Sequence, residues 1–487
     1  MATGGTTTQT QTMRNEIDAY INNTAPMSNI ALKTLREKFF TAYRGTPSDD
    51  WDFNVAYSNE HRTGTRPLGI GWGFGTSANP RPSTGAIEVP QPLDDRTQNL
   101  DASGEYVGTT PWGTRWNTAL KYSGSFFDND NKSMDVENPF CITCSPAGFN
   151  VSGGAPPPTN YAPGILRYGL YPNNTAHGVT LNSGVDLPFL KSRYNSTTQY
   201  TMYRQNDPFI ETNTNGITIG AGVGQLRPYP ATSLNGELNA FLSNNVLTSQ
   251  LTDTVTNTAR VRFYDVKDRT PVLTFSNYVY GDGGVSSALP LTRLQTTHSK
   301  LNISDDVKWR ATKKLTVGAG YFFERLSPEH SEIDHLTENG GKVFVDHKAW
   351  TWLNSRTSFL YSQRRYGEYE VTSNVQTRPM RIFFVANRDR HKLEHHVDIA
   401  AFKNVTLTPN GGLRWDDYPD GVPNLLGKTE DHSWNIGSDL AIRATPDLRY
   451  TSSYNYDEHK LHMAACCGAG GGAVPGPNTW TSDITQQ

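Results

Sequence analysis

The chain has 487 residues, and its 44 basic and 47 acidic residues leave a formal net charge of −3 at pH 7. This balance excludes the basic surface that nucleic-acid-binding proteins carry. The mean hydropathy is −0.58, and no apolar run approaches the roughly 18 residues that a transmembrane helix needs, which excludes a helical membrane protein. Four cysteines are too few for a fold built on disulfides.

The first clear element is a strand at residues 51–62, whose side chains alternate between apolar and polar. Because successive side chains of a strand point to opposite faces, one face suits lipid and the other suits water. A strand that crosses a membrane needs only about 9 to 11 residues of this kind. The pattern recurs from residue 32 to 459 without a break in composition. It predicts one large all-β domain, a transmembrane antiparallel β-barrel of the outer membrane, with a soluble β-sandwich or propeller as the alternative.

Short turns and long polar loops follow one another along the chain. Short connections are predicted at 46–50, 108–113, 188–191, 250–255, 311–314, 350–352, 402–404 and 444–447. Longer connections are predicted at 63–96, 128–175, 205–232, 269–293, 328–333, 371–388 and 417–431. Bacterial barrels have short periplasmic turns and long extracellular loops, so this spacing predicts about 16 strands. Pro409 weakens the prediction of a strand at 404–416, because proline donates no hydrogen bond to a ladder.

The alternation also assigns individual residues to the two faces of the predicted barrel. The residues predicted to face the lumen are Asp52, Asn54, Asp101, Glu105, Arg115, Lys121, Asp439, Arg443 and Arg449. The residues predicted to face lipid are Trp51, Phe53, Val55, Tyr57, Trp116, Leu120, Tyr122, Trp434, Leu440, Tyr450 and Tyr454.

Both ends of the chain lie outside the predicted strands. Residues 1–31 form a polar N-terminal segment without the apolar core of a signal peptide, which export to the outer membrane requires. Residues 460–487 are predicted to be a Gly-rich loop, after which the chain ends before barrel closure. The parity of the strand count places both ends on the long-loop side. We therefore expect this chain to be an internal piece of a larger barrel.

Cys141 and Cys144 form a C-x-x-C motif in the longest predicted loop. The next residue is Ser145 rather than the histidine of a c-type haem attachment site, and no C-x-x-C-H motif occurs in the chain. A disulfide within the loop is the leading interpretation, and a redox or metal role is the alternative. The adjacent Cys466 and Cys467 receive no function.

The other candidate motifs indicate no chemistry. In a strand, His391 and His395 fall on the face opposite to His396, so the three do not form a metal site. The Gly-rich stretches at 69–75 and 221–225 do not lie between a strand and a helix, and we interpret both as flexible loops. No arrangement typical of a catalytic site is present, so we expect no enzymatic activity and no cofactor in this chain.

Several stretches, in order along most of the chain, resemble the MtrB/PioB family of decahaem-associated outer-membrane proteins. The stretches are HRTGTRPLGIGWGFG at 61–75, EVPQPLDDRTQNLDASGEY at 88–106, NPF at 138–140, LRYGLYPNN at 166–174, MYRQNDPF at 202–209, PYPATSLNGEL at 228–238, RFYDVKDRTP at 262–271, AGYFFER at 319–325, TENGG at 337–341, SQRRYGEYE at 362–370 and ANRDRHKL at 386–393. Each is weak by itself, and their common order is what makes the resemblance strong.

The resemblance implies a barrel of about 26 strands that sheathes a periplasmic multihaem c-type cytochrome. The cytochrome would carry the haem groups, thread the lumen and exchange electrons with the cell exterior, in some cases through a second multihaem cytochrome at the outer surface. The barrel itself would perform no chemistry. It would hold the haem chain in place and insulate it from lipid.

The charges predicted for the lumen are of both signs, whereas a selective pore tends towards one sign. Besides residues already named, this mixed row includes Glu237, Arg260, Arg262, Lys300, Asp306 and Arg356. Such a wall suits contact with a protein surface, but it also suits a water channel. A general diffusion porin or solute transporter is therefore the second hypothesis. A soluble carbohydrate-binding β-protein, suggested by the abundant tyrosine and tryptophan, is the third.

Overall fold

The computed structural model describes residues 31–76, 79–137, 165–210, 227–276, 290–331, 333–368, 384–419, 427–466 and 479–486. These residues form strands joined by turns and loops, and among them no helix is long and apolar enough to cross a membrane. The predicted all-β class is confirmed.

One antiparallel sheet of 17 strands contains most of the described chain. Its strands are β1 (Thr34–Ser48), β2 (Trp51–Thr76), β3 (Asn79–Thr109), β4 (Arg115–Asn129), β7 (Asn174–Asp186), β8 (Arg193–Gln205), β9 (Gly236–Gln250), β10 (Val255–Asp268), β13 (His298–Arg310), β14 (Leu315–Pro328), β15 (Leu336–Trp350), β16 (Leu353–Tyr366), β17 (Arg388–Phe402), β18 (Val405–Asp417), β19 (Gly427–Arg443), β20 (Arg449–Cys466) and β21 (Thr479–Gln486). Two further hairpins lie in the long connections, β5 (Ser133–Glu137) with β6 (Ile165–Gly169) and β11 (Thr274–Phe275) with β12 (Leu291–Thr292).

Each strand of the sheet pairs with the next one along the chain, so the sheet is an up-and-down meander. All eight predicted short turns are present and lie along one rim. Most strands have 13 to 18 residues. At about 3.3 Å per residue and a tilt of about 45°, a strand of 13 residues rises about 30 Å, the thickness of the hydrocarbon layer.

Strand β18 is continuous, although Pro409 was expected to interrupt it. Its pairing with β19 includes the rung between Pro409 and Ser438. The ladder with β17 passes from Asn410 to Leu407 without a rung at Pro409. Pro409 therefore interrupts the ladder with β17, where its missing N–H would be needed. The ladder with β19 is intact and keeps β18 in register.

The predicted loop at 63–96 is wrong, because β2 and β3 continue through it as a paired ribbon. Its glycines and prolines suggested a loop, but Leu68 lies opposite Val89 and the pairing runs on to the rung between Thr76 and Asn79. The stretch at 69–75 is thus part of a strand rather than a flexible loop. The segment 221–225 lies outside the described residues.

The ribbon leaves the sheet where its neighbours end. Gly64 has a φ of +120°, and a Cβ there would lie 2.0 Å from the carbonyl oxygen of Lys33, so only glycine fits beside the start of β1. Beyond this point Pro67 and Pro90 lie opposite each other, with no donor to offer to a further strand. Prolines on both edges protect the ribbon from pairing with another chain.

Two small clusters of buried apolar residues lie on the long-loop side of the described chain. In the first, Ile70 and Val89 of the ribbon pack against Met134 of β5. In the second, Ile333, Leu336 and Val385 join the β14–β15 and β16–β17 connections. These clusters order the loops, whereas many large apolar side chains of the sheet itself remain exposed.

The predicted Gly-rich loop at 460–487 contains further strand. Strand β20 continues to Cys466, and β21 returns along it, with Thr479 opposite Cys466 and Gln486 opposite His459. The prediction of loop alone is wrong for these strands, because the glycines between them indicate a loop but do not mark where the flanking strands end.

Candidate functional site

The candidate site is the polar face of the large sheet. From β1 to β20 the register is regular apart from shifts near the ends of five ladders, so directly opposed residues can be followed from strand to strand on one face. All residues predicted to face the lumen share this polar face except Glu237, and all residues predicted to face lipid share the other, apolar face. That the polar face lines a lumen and the apolar face meets lipid stays a prediction.

Aromatic side chains gather on the apolar face beside the short turns. Trp51 and Tyr106 lie with ring centroids 4.9 Å apart, and Tyr106 meets Trp116 at 5.4 Å. Further along the same rim, Trp350 and Trp352 stack at 5.4 Å. Tryptophan and tyrosine favour the boundary between hydrocarbon and water, so this band has the composition of an interfacial girdle.

Polar groups on the apolar face are few in the middle of the described strands, and one pair stands out. Asp305 is exposed between Ile303 and Val307, and its Oδ1 accepts a hydrogen bond of 2.7 Å from the Asn257 amide of the neighbouring strand. Sequence reasoning missed this pair, although the break in the apolar row of β13 was visible at Asp305.

One residue predicted to face the lumen lies on the apolar face instead. Glu237 is directly opposite Arg204, close to the long-loop end, and the two side chains lie 3.5 Å apart. The assignment of Glu237 to the lumen is wrong. Glu237 is the second residue of β9, and the first residues of a strand do not show which alternate positions belong to which face. Arg260, Arg262, Lys300, Asp306 and Arg356 do lie on the polar face.

Charges on the polar face pair with one another across neighbouring strands. Lys121 lies 3.1 Å from Asp101, and Arg260 lies 2.7 Å from Asp306. Further pairs of the same kind are Arg44 with Asp52, Lys300 with Glu324, and Arg356 with Asp346. Mixed signs along this face therefore neutralise the wall itself, and the surface it offers over most of its area is polar but has little net charge.

A denser network of charges lies on the polar face at the long-loop end of β15–β20. Arg388 donates to both carboxylate oxygens of Glu338 at 2.8 and 2.9 Å. Arg390 binds Asp416 through two bonds of 2.7 Å, and Asp416 is almost completely buried. Two-point bonds of this type fix the strands' relative positions. In the sequence, the network is visible only as the alternate arginines Arg388 and Arg390 of the stretch at 386–393. Their partners Glu338 and Asp416 lie on other strands and could not be identified from that spacing.

Phe344 is a bulky apolar residue buried within the polar face. A Cβ at Gly318 would lie 2.2 Å from its ring, so the glycine of β14 provides the space that the ring of β15 fills. The Arg356 guanidinium lies 4.3 Å from the ring centroid on the other side. This layered contact keeps a flat, polar surface where an aromatic side chain would otherwise protrude.

The long connections bind one another at the opposite rim from the short turns. Asp207 accepts hydrogen bonds from the backbone N–H of Asn173 at 2.7 Å and from the Lys132 ammonium at 2.9 Å. Burial of Asp207 raises the pKa of its carboxyl, but these two bonds outweigh burial and hold the pKa below its usual value. In the β5–β6 hairpin, the hydrogen bond from Arg167 likewise lowers the pKa of Asp135. The described parts of these loops thus form an ordered cap.

An aromatic contact joins two more of the long connections. Phe209 lies 5.6 Å from Tyr229 and 5.7 Å from Phe275, measured between ring centroids. The Tyr229 hydroxyl also donates to the carbonyl oxygen of Ile210 at 2.9 Å.

The candidate metal and thiol groups remain without an assigned function. His391 and His395 lie on the apolar face and His396 on the polar face, as the sequence predicted. In the described part of the chain, no group of histidine, cysteine, aspartate and glutamate side chains could hold a metal ion. Cys141, Cys144 and Cys467 lie outside the described residues, so their predicted disulfide stays a prediction.

Comparison with known proteins gives one family and several distant similarities. Residues 2–487 match the family model of the MtrB/PioB outer membrane beta-barrel porin. The outer membrane protein MtrB of Shewanella baltica (strain OS185) is 23% identical over 463 residues, which cover 94% of this chain and 58% of that protein. The chain thus spans little more than half the length of this relative.

Solved structures show only weak similarity. The ferric-catecholate import receptor Fiu of E. coli K12 matches with a TM-score of 0.44 at 10% identity, covering 90% of this chain and 69% of Fiu. The ferric yersiniabactin uptake receptor FyuA of Yersinia pestis matches with a TM-score of 0.43 at 10% identity, covering 93% of this chain and 69% of FyuA. TM-scores below 0.5 do not establish a common fold.

The match of the family model over nearly the whole chain agrees with the geometry described above. A meander of long antiparallel strands, an exposed apolar face with aromatic residues at the rim, and short turns opposite long loops are the features of an outer-membrane barrel. Porins, rather than enzymes, make up the family. The chain belongs to the MtrB/PioB family of outer membrane β-barrel porins.

Proposed function

We propose that the chain is the wall of a porin-like sheath that holds a multihaem c-type cytochrome and insulates it from lipid, for electron transfer across the outer membrane. The proposal rests on membership of the MtrB/PioB family and on the resemblance of the ordered motifs to its decahaem-associated members. The structural observation that carries it is the polar face, which is continuous across the sheet and largely neutral.

The width of the sheet supports an occupant larger than a solute. With strands about 4.8 Å apart and tilted by about 40°, a barrel of 17 strands has a backbone radius of about 17 Å. Small barrels fill their interior with their own side chains, whereas barrels of this size leave an open lumen. A lumen of this width accommodates a slender folded protein.

The wall also suits close contact with a protein. Ion pairs such as Lys121 with Asp101 and Arg260 with Asp306 satisfy the charges within the wall. A partner can then lie against it without leaving buried charges unpaired, which is the main electrostatic penalty of a protein interface. Where Phe344 would protrude, Gly318 and Arg356 keep the surface level.

Electron transfer requires redox centres, which we expect a partner rather than this chain to attach. Its sequence contains no C-x-x-C-H motif for covalent haem c. Hydrocarbon about 30 Å thick is too wide for electrons to cross without intermediate centres. The haem groups would therefore be carried by the cytochrome within the lumen, and a second multihaem cytochrome at the cell surface would extend the path.

Purification of the affinity-tagged full-length protein from native outer membranes tests the partnership. We expect a multihaem c-type cytochrome to co-purify, visible as a haem-staining band and as the Soret absorbance of haem c. The sheath would be contradicted if the barrel purifies without haem and, in liposomes, lets small sugars pass. That result would support a diffusion porin.

A further inference from the structure

The rim that carries the short turns is divided into two halves of different charge. We define this rim as each short turn together with three residues on either side. Around the turns of β1–β10 it contains more acidic than basic residues: Asp49, Asp50, Asp52, Asp186 and Asp253 against Arg115, Lys191 and Arg193. Around the turns of β13–β20 it is strongly basic: Lys308, Arg310, Lys313, Lys314, Lys348, Lys403, Arg443 and Arg449 against Asp447.

The two halves also differ in how their charges are used. On the acidic half, Arg193 lies 2.6 Å from Asp186, Lys191 lies 3.9 Å from Asp253, and Asp52 binds Arg44. On the basic half, which we call the basic rim, none of the lysines and arginines forms an ion pair with a described residue. The basic rim therefore departs from the pairing of charges on the rest of the polar face.

The direction of these side chains follows from the register. Lys308, Arg310, Lys348, Arg443 and Arg449 belong to the polar face, and all are exposed. Arg443 and Arg449 are directly opposite each other in the β19–β20 ladder. Like charges in directly opposed positions destabilise a sheet. A carboxylate of a bound partner would relieve the repulsion between these two arginines.

We propose that the basic rim is a docking surface for an acidic face of a protein at the periplasmic mouth of the barrel. This inference rests on the proposed function, because the cytochrome would enter through this mouth. The acidic occupant is a protein rather than anionic lipid, since five of the eight cations belong to the polar face and point away from the face that lipid would cover. Exposed cations at a mouth steer an acidic partner to it and fix its orientation.

The test uses the full-length protein in nanodiscs, where both mouths are accessible, and poly-L-glutamate as the acidic probe. Arg449→Gln removes a cation from the basic rim, and Arg115→Gln is its matched control. Both residues are the first of their strand, exposed and on the polar face, and neither forms an ion pair with a described residue. Both variants change the net charge equally.

We expect R449Q to weaken poly-L-glutamate binding about two- to threefold and R115Q to leave it nearly unchanged. The combined variant R310Q/K348Q/R443Q/R449Q should weaken binding about tenfold or more, and the wild-type affinity should fall as salt rises. Heat-modified migration on gels shows that each variant is folded.

Equal weakening by R449Q and R115Q would overturn the proposal, since net charge alone would then explain binding. A lipid site would replace the proposal if phosphatidylglycerol is enriched around the wild-type protein, and R449Q abolishes this enrichment without changing the binding of poly-L-glutamate. If no cytochrome co-purifies but R449Q and R115Q still differ with poly-L-glutamate, the sheath fails and the acidic docking surface stands.

Discussion

At the scale of single residues, the two faces of each strand place neighbouring side chains in opposite surroundings. Val55 and Ala56 are adjacent in β2, yet Val55 lies in the apolar row and Ala56 lies on the polar face opposite Asp101. The assignment of the apolar face to lipid can therefore be tested by the same substitution at two consecutive positions.

Val55→Arg should lower the free energy of unfolding in lipid vesicles by about 2 to 4 kcal/mol, the cost of an arginine in the middle of a lipid-facing row. Ala56→Arg should cost much less, because the new charge lies beside the Asp101 carboxylate. Urea titration followed by tryptophan fluorescence measures both. A larger loss for A56R than for V55R would show that the two faces have been assigned the wrong way round.

The pair of Asn257 and Asp305 is the clearest exception on the apolar face. Lipid penalises an exposed carboxylate even when an amide binds it at 2.7 Å. Replacement of both partners by apolar residues removes this cost without leaving an unpaired group. The double variant N257V/D305L should gain about 1 to 3 kcal/mol in the free energy of unfolding from vesicles. A destabilised double variant would place this part of the face against protein or water.

At the scale of elements, sequence alternation predicted the turns and most strands but not everything that depends on pairing. The turns could be found because each is marked locally, by polar residues and by a break in the alternation of apolar and polar side chains. Glu237 could not be placed, because its strand had no earlier residues to fix the phase. The bonds of Arg388 and Arg390 to Glu338 and Asp416 depend on which strands are neighbours and in which register, which the sequence does not contain.

The ribbon of β2 and β3 shows how composition misled the prediction. Glycine and proline usually mark loops, but here Pro67 and Pro90 occupy ribbon edges that have no neighbouring strand. The same residues that argued against a strand explain why the strand pair stands alone beyond Gly64.

Because the ribbon beyond Gly64 pairs with no other strand of the sheet, the wall should assemble without it. A variant in which a short turn replaces residues 67–90 should still reach the outer membrane and show heat-modified migration on gels. A deletion of equal length from β15 and β16, which pair on both sides, should abolish assembly. Loss of assembly in the ribbon variant would show that the ribbon contributes to the wall itself.

At the scale of the whole molecule, an exposed apolar face and a polar face with paired charges form one continuous sheet. A sheet with these two faces is suited to separate lipid from a polar interior. The fold and the outer-membrane location follow from this arrangement and from the family. The function then depends on what the interior holds, which is why the occupant is the central claim of the account.

Electron transfer across a sealed membrane tests that claim most directly. Liposomes that contain a redox dye are prepared with the full-length barrel and its co-purified cytochrome together, and with each alone, and an external reductant that cannot cross lipid is added. The account predicts rapid reduction of the dye only when both proteins are present, with no passage of small sugars through the complex. Dye that stays oxidised with both proteins present, while sugars pass freely, would contradict the account.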